Sequence, residues 1–203
     1  MTTRPATVPA TGELWPEVTS PTARRLMAEA VELFAERGYH ATTTRDIATA
    51  AGMSPAALYV HFPSKAAVLY AISRSGHTEA LRLVHDLTAE DPAERLAEFV
   101  ARFVAWHARG HRIARVVQYE LHALPEAEFA EVAALRRQTE RAVREMIEAG
   151  VAAGRFRVDD VRTAARAILS LGIDVARWYG DSPRPAPDTL GRRYAALAPK
   201  PDS

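Results

Sequence analysis

Apolar residues recur three and four apart over most of this chain, and nowhere do they alternate one in two as a half-buried strand requires. Behind Ser20-Pro21, a capping residue followed by a first-turn proline, Leu26, Met27, Ala30, Val31 and Phe34 mark a first helix that runs to Gly38. Thr43 and Asp46 have the spacing of a capping box. The short apolar face of Ile47, Ala48 and Ala51 then ends at Gly52, where a residue without a Cβ takes the left-handed conformation cheaply. Ser54-Pro55 opens another short helix, with Leu58 and Phe62 turned inward. Two such helices joined by so tight a turn must cross steeply, leaving one face of the second outward, which is a helix-turn-helix. Pro63-Ser64 restarts the chain as a longer helix through Ala67, Val68, Tyr70 and Ile72 toward Leu87.

The remainder reads as helix throughout. Leu96, Phe99, Val100, Phe103, Val104 and Trp106 form a broad apolar face over Ala93 to His107, broken at Gly110. Ile113, Val116, Val117, Leu121 and Leu124 form a second stripe, ended by Pro125. A long helix from about Glu126 to Ala153 carries a mixed-charge outer face, and Gly154 ends it. Val158 to Tyr179 is apolar or small around most of its circumference, so it must bury two faces: one on its own domain, the other most simply on the same helix of a second chain. A proline-rich loop and a short helix near Leu190 to Leu197 close the chain. The fold expected is all-α in two domains: a mobile arm over 1–19, whose Leu14-Trp15 pair docks on the surface, a helix-turn-helix domain over 20–75, and a helical domain over 76–198.

Composition narrows the function by exclusion. The 203 residues include no cysteine, so thiol chemistry, disulfides and thiolate metal sites are absent. No apolar run approaches a membrane span and no secretory signal pattern opens the chain, from which a cytoplasmic protein with no membrane partner is expected. No H-E-x-x-H pair, G-x-S-x-G elbow or glycine-rich phosphate loop occurs, so neither an enzyme nor a cofactor is expected. His107 and His111 are spaced i, i+4, with His122 further on, but Gly110 interrupts the helix between the first two and no metal site is expected. The net charge is +1, so a case for nucleic acid rests on where cations lie. Lys65 is the conspicuous one. Basic residues are disfavoured in a helix's first turn, and an anion nearby, such as a phosphate, would account for it.

Ala30, Leu33, Phe34, Gly38, Tyr39, Thr43, Ile47, Ala48, Ala51, Gly52, Ser54, Leu58, Tyr59, His61, Phe62 and Lys65 match, in order and spacing, the N-terminal domain of the TetR family of bacterial transcriptional regulators, which this chain therefore resembles from about Ser20 to Ser75. The resemblance implies that Tyr59 and His61 lie against a double-stranded DNA operator, with Thr43, Thr44 and Arg45 at the preceding cap, Ser54, Pro55 and Ala56 at the outward turn, and Arg24 and Lys65 toward phosphates. Two positions depart from the family: Ala57 replaces a frequent threonine, and Val60 a polar or aromatic residue. Few hydrogen-bonding groups then remain for bases, and readout should lean on thymine methyl groups, on Arg45 and on DNA shape.

In the C-terminal helices His107 and Glu120 interrupt apolar stripes. A carboxylate among such neighbours costs several kcal/mol unless paired, so Glu120 implies a partner such as Arg115, another arginine or a ligand; for either residue taken alone, satisfied internal hydrogen bonding is the favoured account. The family binds a small effector in such a domain, and Phe103, His107, Arg115, Tyr119, Glu120, Arg177 and Trp178 are the candidates for lining its cavity. The last helix and its Trp178-Tyr179 end resemble members responsive to acyl-CoA thioesters, which points to an amphipathic acid. The resulting expectation is a homodimeric repressor released from a palindromic operator by its effector. The alternative is a helical ligand-binding or scaffolding protein without sequence-specific DNA binding.

Overall fold

Trp15 is 1% exposed, although it stands in a segment with no helical periodicity. It is the first residue that the computed structural model describes; the described residues are 15–180 and 185–197. The docking expected of the Leu14-Trp15 pair is thus met by Trp15, while Leu14 and most of the expected arm lie outside the described residues. Val18 N–H donates to the Trp15 carbonyl at 3.1 Å, which folds this lead-in back before the first helix.

Among the described residues all regular structure is helical: α1 (Pro21–Arg37), α2 (Thr44–Ala50), α3 (Pro55–His61), α4 (Lys65–His85), α5 (Pro92–Arg109), α6 (His111–Glu120), a 3-10 turn (Leu121–Ala123), α7 (Glu126–Ala152), α8 (Val161–Trp178) and α9 (Pro187–Ala195). Their ends follow local chemistry. Ser20 Oγ accepts from Ala23 N–H ahead of Pro21, and Asp91 Oδ1 accepts from Ala93 and Glu94 N–H ahead of Pro92. Three ends differ from the sequence reading. The eighth helix starts at Val161 rather than Val158, because Asp160 takes the cap by accepting from Arg162 N–H at 3.0 Å. The second C-terminal stripe tightens into the 3-10 turn over Leu121–Ala123 ahead of Pro125. The tail helix starts at Pro187, a proline suited to a first turn, rather than near Leu190.

The chain forms two compact units, and they do not follow chain order. One comprises the described residues up to Gly76 together with Arg112–Ala130; the other comprises His77–His111 and the described residues from Glu131 on. The chain first crosses from one unit to the other between Gly76 and His77, inside α4, and α6 groups with the N-terminal unit. In that unit α1, α2 and α3 pack on one another, with Leu26, Met27, Ile47 and Leu58 fully buried.

In the other unit α5 packs against α8 and α9, and its apolar face (Leu96, Phe99, Val100, Phe103, Val104) sits in one core with Val143, Ile147, Ala165, Val175 and Leu190. Two glycines permit close approaches there. A Cβ on Gly172 would meet the Phe103 ring at 2.5 Å, and one on Gly191 would meet the Ala101 carbonyl oxygen at 2.2 Å. The opposite face of α8 is uncovered by its own unit: Leu171 is 55% exposed, and Ala167 and Ser170 are exposed beside it.

Candidate nucleic-acid interface

The turn between α2 and α3 is built from backbone hydrogen bonds that only one residue type allows. Met53 N–H reaches the Ala48 carbonyl at 2.8 Å and Gly52 N–H the Thr49 carbonyl at 2.9 Å, the paired bonds of a Schellman ending, with Gly52 at φ +68°. At the other end of α2 the capping box is complete. Thr43 Oγ1 accepts from Asp46 N–H at 3.1 Å, and Asp46 Oδ2 accepts from Thr43 N–H at 2.9 Å. The Thr43 hydroxyl donates to the same carboxylate at 2.7 Å, and these bonds hold the Asp46 carboxyl below its ordinary range. Ser54 Oγ accepts from Ala57 N–H at 3.3 Å, which starts α3 at Pro55.

Both ends being set, the faces of α3 are decided by burial. Leu58 is buried completely and Phe62 nearly so, while Ser54, Pro55 and Ala56 are exposed, Tyr59 is 53% exposed and Val60 80% exposed. Tyr59 hydroxyl and Thr44 Oγ1 share a hydrogen bond at 3.1 Å, tying the outward side of α3 to the start of α2. Arg45 is exposed on α2, and His61 is half-buried at the end of α3 with its ring 6.5 Å from that of Phe62. Thr43, Thr44, Arg45, Ser54, Pro55, Ala56, Tyr59 and His61 thus all lie on α2, α3 or their caps. Arg24 does not: it is half-buried on α1, and its Nε donates to the Val18 carbonyl at 2.6 Å, holding the lead-in segment.

Lys65 has a different physical explanation from the one its position suggests. Its ammonium donates to the carbonyls of Tyr39 and Thr42, each at 2.6 Å, and lies 4.2 Å above the Tyr39 ring. A cation in the first turn of α4 is accounted for by the carbonyls of the loop between α1 and α2. Burial lowers the Lys65 pKa and the nearby Glu120 carboxylate opposes that shift. The same carboxylate answers the partner question raised by Glu120, since Oε1 accepts from Tyr39 N–H at 3.1 Å; neither an arginine nor a ligand is required. Burial, and secondarily Glu120, raise the Tyr39 phenol. We expect Lys65→Met to lower stability by about 1–3 kcal/mol, because two buried-side carbonyls lose their donor. Thermal unfolding checks it, and an unchanged melting temperature would remove Lys65 from this structural role.

The residues expected to line an effector cavity are divided by the fold. Arg115, Tyr119 and Glu120 belong to α6 and the N-terminal unit, whereas Phe103, His107, Arg177 and Trp178 belong to the other. Within the second unit Phe103, Trp106 and His107 form one aromatic group, with the Phe103 and His107 ring centroids 4.3 Å apart and those of Trp106 and His107 4.7 Å apart. His107 Nδ1 is 2.9 Å from the Phe103 carbonyl, the internal hydrogen bond that was one of its two expected solutions. Arg177 pairs with Asp174 at 2.7 Å on an exposed surface, and Trp178 packs against the core. Sequence reasoning missed His77. It lies on the stripe Ser73, His77, Ala80, Val84, a helical spacing that is present in the sequence, although one histidine in a mostly apolar run carries no functional signal by itself. Its Nε2 is shielded from solvent without a hydrogen-bond partner. Burial pushes the pKa of His77 down to about 4, with Arg136 and His107 adding to the shift, and burial alone takes His107 down to about 4. Among the described residues no group of three or more histidine or acidic side chains is placed to hold a metal ion, and no helix is long and apolar enough to cross a membrane.

Comparison with known proteins places this geometry. Residues 26–72 match the family of bacterial regulatory proteins of the tetR family, and residues 89–200 match the tetracyclin repressor-like C-terminal domain. The chain is 34% identical over 189 residues to the HTH-type transcriptional repressor KstR2 of Mycolicibacterium smegmatis, covering 87% of this chain and 89% of that one. A crystal structure of a tetR-family regulatory protein from Rhodococcus RHA1 superposes with a TM-score of 0.82 at 44% identity, covering 89% of this chain and 96% of the other. The ketosteroid transcriptional regulator KstR2 of Mycobacterium tuberculosis superposes at 0.80 with 28% identity, covering 91% and 96%. A capped helix-turn-helix with one face of its second helix bare, followed by helices that match the C-terminal domain over residues 89–200, makes this chain a member of the TetR family of bacterial transcriptional regulators.

Proposed function

We propose that the protein is a homodimeric repressor that holds a two-part operator through α3 and releases it when a small amphipathic acid binds among the helices of the second unit. The observation that carries the DNA part is the contrast across α3: Leu58 and Phe62 are buried while Tyr59 and Val60 face solvent, so a seven-residue helix is held rigidly with its outer side unoccupied. Arg45, Thr44 and Tyr59 lie at the edge of that side, where they would meet the phosphate backbone, and His61 would join them at the far end of α3. Lys65 and Arg24 act indirectly, by holding the loops that set where α2 and α3 lie.

Leu171, Ala167 and Ser170 on the outer face of α8 support the homodimer, since an exposed leucine between small residues suits close packing against a second copy. Two α3 helices related by a twofold would then meet half-sites about one turn of DNA apart, or a multiple of that. The aromatic group of Phe103, Trp106 and His107 within the second unit supports an acyl-CoA or similar effector with an apolar part. Differential affinity of that effector for one arrangement of the two units would act through α4, whose residues are shared between them.

The test is binding of the full-length protein to the DNA upstream of its own gene over a salt series, alongside its mass by light scattering. A specific complex whose affinity falls steeply with salt, formed by a dimer, is the expected result. Leu171→Glu should give monomers and lose specific binding with it. Binding no tighter to that DNA than to random duplex would favour the alternative of a helical ligand-binding protein.

A further inference from the structure

Two of the polar groups on the outer side of α3 are tied within the chain, and Tyr59 and His61 lie toward the phosphate backbone in the reading above. Tyr59 hydroxyl is bonded to Thr44, and Ser54 Oγ accepts the cap bond from Ala57 N–H. Between them Ala56 and Val60 face outward at i, i+4 spacing, the latter 80% exposed, flanked by Pro55. A β-branched valine in the last turn of a seven-residue helix, 80% exposed, gains little for the fold. In the major groove the one apolar group that projects from the base edges is the C5-methyl of thymine; cytosine has only a C5–H there, beside an amino donor, and the purines present acceptors and donors that Ala56 and Val60 cannot satisfy.

We infer that Val60, with Ala56 beside it, is the specificity-determining surface of α3 and reads thymine C5-methyl groups, so that each operator half-site carries thymine where these two side chains meet the groove. Burying a valine branch against a thymine methyl removes both from water without leaving a polar group unpaired. A purine at that place puts an unmatched donor or acceptor against a hydrocarbon surface, and cytosine leaves the valine without the methyl and beside an amino donor. This assignment rests on the DNA-binding reading of α3, but it is separable from it.

The experiment needs no variant at first. Duplexes bound by the full-length protein are selected from a random library, and each thymine of the selected half-site is replaced singly by deoxyuridine, which removes the methyl and keeps the pairing. We expect one or two thymines per half-site at which the replacement weakens binding about fourfold, the worth of one buried methyl. Val60→Ala should weaken binding to the thymine duplex by a similar factor, lose most of its discrimination against deoxyuridine at that position, and leave the melting temperature unchanged because the side chain is exposed. Specific binding that is indifferent to deoxyuridine at every position overturns the inference while leaving the regulator reading intact, and so does a selected half-site without thymine. Failure to select any duplex overturns both.

Discussion

Gly191→Ala should unfold this protein about 6–12 °C below the unsubstituted chain, the effect of a loss of about 3 kcal/mol in a domain of this size. The added Cβ would stand 2.2 Å from the Ala101 carbonyl oxygen and 3.0 Å from its carbon, and both belong to the backbone of α5. No rotamer change relieves a clash with backbone, so α9 must slide or lift. Lifting it uncovers Leu190, which is 5% exposed and part of the α5 core, and pulls on the ion pair between Arg109 and Asp188. Differential scanning calorimetry reads the shift. Gly76→Ala is the matching control: it lies inside α4, nothing stands within 4 Å of the position its Cβ would take, and alanine there should raise stability by about 0.5–1 kcal/mol. If Gly191→Ala melted with or above the parent, the close packing of α9 on α5 would not be a feature of the folded protein.

Acid should weaken the second unit well before its carboxylates titrate. His77 and His107 each have a folded-state pKa of about 4 against the ordinary 6.5. The folded protein therefore binds fewer protons than the unfolded chain below pH 6.5. The stability that the two neutral rings allow is complete above that pH, falls as pH drops toward 4, and levels off below it. The loss is about 2 kcal/mol per histidine by pH 5 and about 3 at the limit. His107→Gln keeps a polar group beside the Phe103 carbonyl and removes the titration, so the melting temperature between pH 7 and 5 should fall less steeply than in the parent. An identical slope would mean that His107 does not stay neutral in the folded state. Were an acidic effector to bind near these rings, its carboxylate would favour their protonated form, and the slope with effector present would flatten too.

Both effects depend on distances between helices remote in sequence, which marks where reading the chain stops. The α2 cap is a matter of Thr43 and Asp46 alone, and the α3 start of Ser54 and Pro55, so local chemistry located the helix-turn-helix to the residue. The outward face of α3 followed from spacing as well, since Leu58 and Phe62 lie four apart and Val60 opposite. Local rules do not reach the partners of Lys65 and Glu120. They offer an anion for a first-turn lysine, and a cation, a ligand or internal hydrogen bonding for a stripe-interrupting glutamate; Lys65 is bound by loop carbonyls 23 and 26 residues away, and Glu120 accepts from a backbone N–H 81 residues away.

Periodicity, capping residues and turn glycines settle which segments are helical and which side of each is apolar, because those preferences act within one or two turns of chain. They determined the all-α character, the helix-turn-helix and its bare face. They did not determine that α6 joins the N-terminal unit, that Gly172 and Gly191 are contact points, or that His77 and His107 share a buried environment. Hydrogen bonds and van der Waals repulsion reach only a few ångströms, so whether residues far apart in sequence meet is decided when the helices pack, and by nothing short of that.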